Sequence, residues 1–118
     1  HILIVDDEPY ITNFLSALLK KYHYKVTVKN DSKSALTYFK KHHNEIDAVL
    51  TDQTMPKISG IDMAVKMLEI TKDLPIVLCN GYSENVDEEL ALSKNIRAFL
   101  TKPVKLNELL RIVNSLFD

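Results

Sequence analysis

Glycine is scarce in this chain, with 2 residues in 118. Gly-rich phosphate loops and dinucleotide fingerprints need several glycines at fixed spacing, so nucleotide folds of that kind are excluded. Cysteine is scarcer still: Cys79 alone permits no intrachain disulfide and no thiolate metal cluster, which fits a reducing compartment. No apolar run reaches the roughly 20 residues of a membrane-spanning helix, and no secretory signal is present. The segment is therefore expected to be soluble and cytoplasmic, without membrane insertion of its own, even if a longer parent is membrane-attached. Excess charge is missing too, since 15 basic and 16 acidic side chains leave a net charge of -1. A direct nucleic-acid footprint is not expected, and the basic runs "KKYHYK" and "KKHH" read as solvated helix ends.

What is present is a folding composition, 46% apolar and 26% charged, in a length that suits one domain over 1–118. Five apolar, β-branched segments recur: "ILIV" (2–5), "YKVTV" (24–28), "IDAVL" (46–50), "PIVLC" (75–79) and "IRAFL" (96–100). Between them lie stretches with helical spacing. The first opens at Pro9, the second follows an Asp31 cap, and the third starts near Ser59 with Asp62 completing a capping box. A fourth is expected over 85–95, and a fifth, "KLNELLRIVNSLF", closes the chain with apolar residues at 106, 109, 110, 113, 116 and 117. Strand–helix alternation at this spacing predicts an α/β fold, a doubly wound five-stranded parallel sheet of order 2-1-3-4-5 between helical layers. Segments 1, 3, 4 and 5 are nearly continuous apolar runs, as when helices cover both faces. The alternating second segment suits an edge.

That topology brings chemistry together. Asp6 and Asp7 follow the first strand segment, Asp52 the third, Asn80 the fourth and Lys102 the fifth. In a parallel sheet these ends share one edge, where a doubly wound fold places its site. Taken singly, an acid after a strand often caps a helix, and Lys102 before Pro103 reads as a solvated loop residue. Taken jointly, the convergence points to a site. Three crowded carboxylates repel one another and call for a cation, and oxygen-only ligands favour Mg²⁺. Asp52 would then be a nucleophile that accepts a phosphoryl group as an acyl phosphate, with Lys102 as a second positive charge and Asn80 as a hydrogen-bond donor. The "TKP" triplet holds its lysine in an extended or cis-linked geometry.

The segments "ILIVDDE" (2–8), "LTDQTMPKISG" (50–60), "LPIVLCNGYS" (74–83) and "AFLTKP" (98–103) closely resemble the receiver domain of two-component response regulators, over essentially the whole chain. The resemblance implies a flavodoxin-like three-layer sandwich and phosphotransfer from a partner phosphohistidine, on a histidine kinase or a histidine phosphotransfer domain, to Asp52. It implies Mg²⁺ held by Asp7, Asp52 and the Thr54 carbonyl with Asp6 in an outer role, and phosphate contact by Lys102. Gly60 is expected to serve tight turn geometry. Switching would run through Asn80 and Phe99. Asn80 departs from the family's usual Thr or Ser, and Phe99 lacks the hydroxyl of the tyrosine often found there, so switching here would rest on a longer, planar amide donor and on packing alone. Thr54 and Tyr82 flank the expected path of hydrolytic water, and neither is an acid or amide placed to guide it, which predicts slow dephosphorylation.

The phrases "TDQTMP" and "LCNGYSE" look most like receivers attached to sensor histidine kinases, and no DNA-binding domain is expected after residue 118. The family's usual dimer face, helix 4–strand 5–helix 5, carries Glu88, Glu89, Lys94, Arg97 and Lys105 here and is mixed in charge. A haloacid-dehalogenase-like phosphatase would want a second carboxylate two residues after the nucleophile, where Thr54 stands. A flavodoxin-like cofactor binder would want a phosphate loop where "DDEP" stands. The remaining alternative is a degenerate receiver that acts as a phosphorylation-independent interaction module.

Overall fold

The structure, a computed structural model, describes residues 1–80 and 96–117. The order is β1 (Ile2–Val5), α1 (Pro9–Lys21), β2 (Val26–Lys29), α2 (Ser32–His42), a 3₁₀ turn (His43–Glu45), β3 (Ala48–Asp52), α3 (Gly60–Ile70), β4 (Ile76–Asn80), β5 (Ala98–Thr101) and a C-terminal helix (Leu106–Leu116). The strands form one parallel sheet in the order β2-β1-β3-β4-β5, as the alternation predicted. The expected fourth helix and Tyr82 lie outside the described residues.

Both faces of the sheet are covered, which explains the continuous apolar runs. Leu3, Val5, Val49, Ile76 and Leu78 point to one side and pack with Phe39 of α2 and Met63 and Met67 of α3. Their neighbours Ile2, Ile4, Leu50 and Val77 point to the other side, toward Leu15 and Leu19 of α1 and Leu109, Ile112 and Val113 of the C-terminal helix. In that helix the inward stripe is 109, 112, 113 and 116, the i, i+3, i+4, i+7 pattern, while Leu106 and Phe117 stay exposed. β2 is half-buried throughout, as an edge strand should be.

Strand ends differ from the apolar runs. β3 begins two residues after Ile46 and extends through Thr51 to Asp52, so Asp52 is the last strand residue rather than the first loop residue. Asn80 likewise ends β4. The ladder continues through these polar side chains because strand pairing uses the backbone.

The caps at Asp31 and Ser59 form as expected, although among the described residues Asp62 does not return a side-chain bond to complete the box. The Asp31 carboxylate accepts from the Ser34 amide at 2.7 Å, and Ser59 Oγ accepts from the Asp62 amide at 3.2 Å. The hydrogen bonds from the Ser34 side chain and backbone hold the Asp31 carboxyl below its ordinary value of 3.8. A depressed carboxyl pKa gives stability that is present above 3.8 and lost as pH falls through the folded-state value. Asp31→Ala is therefore expected to lower stability by about 1 kcal/mol at neutral pH. Thermal midpoints of the two proteins measured across the acid range should converge below pH 3.8; a constant gap would show that the cap does not act through the carboxylate.

Candidate functional site

The parallel register brings the carboxyl ends of β1, β3, β4 and β5 side by side, with Asp52 opposite Cys79 and Asn80 opposite Thr101. Asp6 follows β1 directly and Lys102 follows β5 directly, so residues 96 positions apart in sequence meet. The Lys102 ammonium lies 2.8 Å from Asp52 Oδ1 and 3.1 Å from Asp6 Oδ2, bridging the two acids. Asp6 and Asp52 are only 3% and 4% exposed. Asp7 is exposed, yet one oxygen from each of the three acids falls within 4.8 Å of the others. Four of the five predicted strand-end groups, the three acids and their lysine, thus meet at one place.

Charge explains the arrangement. Burial alone would lower the Lys102 pKa. Hydrogen bonding and attraction to Asp52, then to Asp6, outweigh it and raise the ammonium above its ordinary 10.5. A raised lysine pKa gives stability that is fully present below 10.5 and is lost only as pH rises through the folded-state value, so the bridge is intact across the physiological range. One lysine cannot neutralise three carboxylates. The donor set is all oxygen, two acids are buried, and the third faces water. That set fits a hard divalent cation that keeps part of its hydration, as Mg²⁺ does.

Residues the motifs did not single out hold this pocket. Asp6 Oδ1 accepts from the Glu8 amide at 3.0 Å. Asn30, at the end of β2, donates to the Asp6 carbonyl at 2.9 Å and to Thr12 Oγ1 at 3.0 Å. Buried Thr12 in turn donates to the Pro9 carbonyl at 3.0 Å, tying α1 to the same corner. On the other side, Gln53 accepts from the Gly60 amide through its carbonyl and from the Ile61 amide through Oε1, both at 2.9 Å. It thereby fastens the end of β3 to the start of α3. The only sequence signal for either residue was a polar side chain at a strand terminus.

Gly60 corrects the turn expectation. No described glycine has positive φ. A Cβ at Gly60 would collide with the Asp52 carbonyl oxygen and lie 2.9 Å from Leu78 Cδ1 and 3.0 Å from Gln53 Cα. The glycine is required by close approach of α3 to the Asp52 backbone, not by its own dihedrals. Thr54 is exposed in the loop beyond β3, and Phe99 of β5 is half-buried against the α2/α3 side of the core. The Lys102–Pro103 peptide is cis, one of the two geometries "TKP" admits.

Beside the acids lies an open groove of about 640 Å³, lined by Glu8, Tyr10, Phe14, Lys102, Pro103 and Val104 among others. Tyr10 and Phe14 are 71% and 55% exposed on α1. Large exposed aromatics at the rim of a charged pocket mark a surface suited to a protein partner.

Known proteins agree with this geometry. Residues 2–114 match the family described as "Response regulator receiver domain", and the chain belongs to that family. It is 30% identical over 108 residues to the heme response regulator HssR of Staphylococcus saprophyticus, covering 92% of this chain and 47% of that protein. It is 35% identical over 108 residues to the 3',5'-cyclic-nucleotide phosphodiesterase regA of Dictyostelium discoideum, covering 87% of this chain and 13% of that protein. The chain thus spans less than half the length of these curated relatives. Among solved structures, a receiver domain protein from Clostridium thermocellum superposes with a TM-score of 0.92 at 30% identity, covering 98% of this chain and 91% of that one. The Borrelia burgdorferi CheX–CheY–BeF3–Mg²⁺ complex gives a TM-score of 0.90 at 26% identity, covering 99% and 88%. The family, fold and acidic pocket are those of receivers in two-component signalling.

Proposed function

We propose that Asp52 accepts a phosphoryl group from a phosphohistidine on a histidine kinase or histidine phosphotransfer domain, in a Mg²⁺-dependent phosphorelay step. The observation that carries this reading is the Lys102 bridge between Asp6 and Asp52, with Asp7 at its side. An Asp52 oxygen attacks phosphorus, the P–N bond breaks, and the imidazole leaves with a proton from solvent. Lys102 swings its charge from the carboxylates to the phosphoryl oxygens. Asp7, Asp52 and the Thr54 carbonyl would hold Mg²⁺, with Asp6 oriented by Glu8 and Lys102 behind them. When bound, the ion neutralises charge on the transferring group. The Borrelia complex, whose description includes BeF3 and Mg²⁺, supports this assignment.

Asn80 donates to the phosphoryl group, Phe99 shifts inward, and the face containing β5 and the C-terminal helix passes the change on, including to a second copy. The likeness of "TDQTMP" and "LCNGYSE" to receivers of sensor histidine kinases supports reading the parent as a hybrid kinase with this domain on the cytoplasmic side. The test is intact mass after incubation with a small phosphodonor, with Mg²⁺ or with chelator. A single Mg²⁺-dependent phosphoryl adduct is expected. No adduct, under conditions that label another receiver, would favour a phosphorylation-independent interaction module.

The aromatic groove suggests where the donor sits. Tyr10→Ala with Phe14→Ala is expected to slow transfer from a phosphohistidine protein about tenfold or more while leaving small-donor labelling unchanged. Equal loss with both donors would place these residues in the chemistry instead. Tyr82, two residues after Asn80, is proposed to shield the acyl phosphate. Tyr82→Ala should shorten its half-life, read as decay of the adduct after donor removal, and an unaltered decay would remove that role.

A further inference from the structure

Near-zero net charge conceals a strong asymmetry. Residues 20–43 hold seven lysines and one acid, Asp31, whereas the rest of the chain carries eight basic and fifteen acidic side chains. That one acid is committed to capping α2 through Ser34. Among the described residues, none of the seven lysines forms an ion pair.

Helix polarity accounts for only part of this. Lys20, Lys21, Lys40 and Lys41 sit in the last turns of α1 and α2, where cations complement the dipole. Lys33 does the opposite. It stands in the first turn of α2, which has no acid, so its charge adds to the positive end of the helix. Lys29, on the edge strand β2, faces the same space with its ammonium 5.0 Å from the centre of the Tyr38 ring.

Lys29, Lys33 and Lys41 line one open cavity of about 510 Å³ together with Thr37, Tyr38 and His42. Lys33, Thr37 and Lys41 are spaced four apart, so they form one stripe of α2, about 12 Å long between the lysines. Tyr38 is held in place by stacking on His42 at 4.4 Å and by contact of its hydroxyl with Thr27 Oγ1 at 3.3 Å. The result is a groove with a fixed aromatic floor, a hydroxyl on one wall and three ammoniums spread along it. A single-charge anion would satisfy one lysine and leave the others repelling each other. A chain of linked phosphates satisfies all three.

We propose that the β2–α2 groove binds a polyphosphate anion, either an inorganic chain or the phosphates of a nucleotide. This site is separate from the acidic pocket and needs no metal, whereas phosphate near Asp6, Asp7 and Asp52 is repelled unless a cation intervenes. It does not depend on Asp52 being a phosphoacceptor.

The test is a titration of isotope-labelled protein with inorganic tripolyphosphate, and separately with ATP, in chelator, followed by backbone amide shifts. Saturable shifts centred on 29–42 are expected, weakened about tenfold by Lys33→Ala with Lys41→Ala. They should persist in Asp52→Ala and in Lys66→Ala, a surface lysine on α3. These lysines are exposed, so both variants should fold, which the amide spectrum itself verifies. Tighter binding of ATP than of tripolyphosphate would identify a nucleotide, and equal binding a bare phosphate chain. Shifts that do not saturate, that survive the double substitution, or that centre on the acidic pocket would overturn the proposal.

Discussion

Asp52→Ala is expected to abolish the phosphoryl adduct completely while leaving the domain folded. The loss is total because no other described carboxylate combines burial, contact with Lys102 and a position at the end of the central strand β3. Asp6 shares the first two features, but Oδ1 accepts from the Glu8 amide and Oδ2 from Lys102. Folding should survive because Lys102 keeps Asp6 as its partner and one of three mutually repelling charges has gone. Intact mass with donor and Mg²⁺ reads the first effect, and a thermal midpoint at or above that of the parent reads the second. An adduct of undiminished yield in the variant would move the acceptor to Asp6 or Asp7, and peptide mapping would then identify it.

Gly60→Ala should have the largest effect on stability of any single methyl added near the site. At the start of a helix, alanine normally improves on glycine by up to about 1 kcal/mol. Here the sign reverses, since the new Cβ meets backbone on two sides and Leu78 on the third. Backbone cannot rotate away as a side chain can, so α3 must move off β3. A loss of about 2–3 kcal/mol is expected, which lowers the thermal midpoint by roughly 10 °C. The same displacement strains the Gly60–Gln53 and Ile61–Gln53 hydrogen bonds next to Asp52. Mg²⁺ affinity and the labelling rate should therefore fall even at temperatures where the variant is folded. An unchanged midpoint would show that the close approach relaxes at little cost and that Gly60 has another purpose.

These two positions illustrate what a sequence reading reaches. Convergence of Asp6, Asp7, Asp52 and Lys102 was legible because parallel strand order alone dictates which ends share an edge. β1 was legible residue by residue, since an all-apolar run ends sharply at Asp6. β3 was displaced by two residues because hydrophobicity marks where burial is apolar, whereas the ladder runs on through Thr51 and Asp52. The purpose of Gly60 was not legible at all. A positive-φ glycine announces itself by neighbouring turn residues, but a glycine demanded by contact is defined by what lies across from it. Asn30 and Gln53 escaped for a related reason. Gln53 bonds only to backbone groups, which every residue possesses, and Asn30 bonds to the Asp6 carbonyl and to a hydroxyl on α1 distant in sequence, so no local spacing betrays either pairing. The lysines of "KKYHYK" and "KKHH" read as helix ends, and most are. Lys29 and Lys33, outside both runs, are the ones that turn a scattered charge into a groove.

The Lys102 bridge has a bearing on how the domain would live in a changing ionic environment. By gripping Asp6 and Asp52 together, the ammonium acts as a built-in substitute for part of the charge a cation would bring. The fold then has a partner for its buried acids without an ion, and a cation entering the pocket would meet a charge already partly neutralised. If the ion is Mg²⁺, as proposed, occupancy would follow the surrounding free magnesium. Readiness to receive a signal would thus track the ionic state of the compartment, while the architecture around it stays constant.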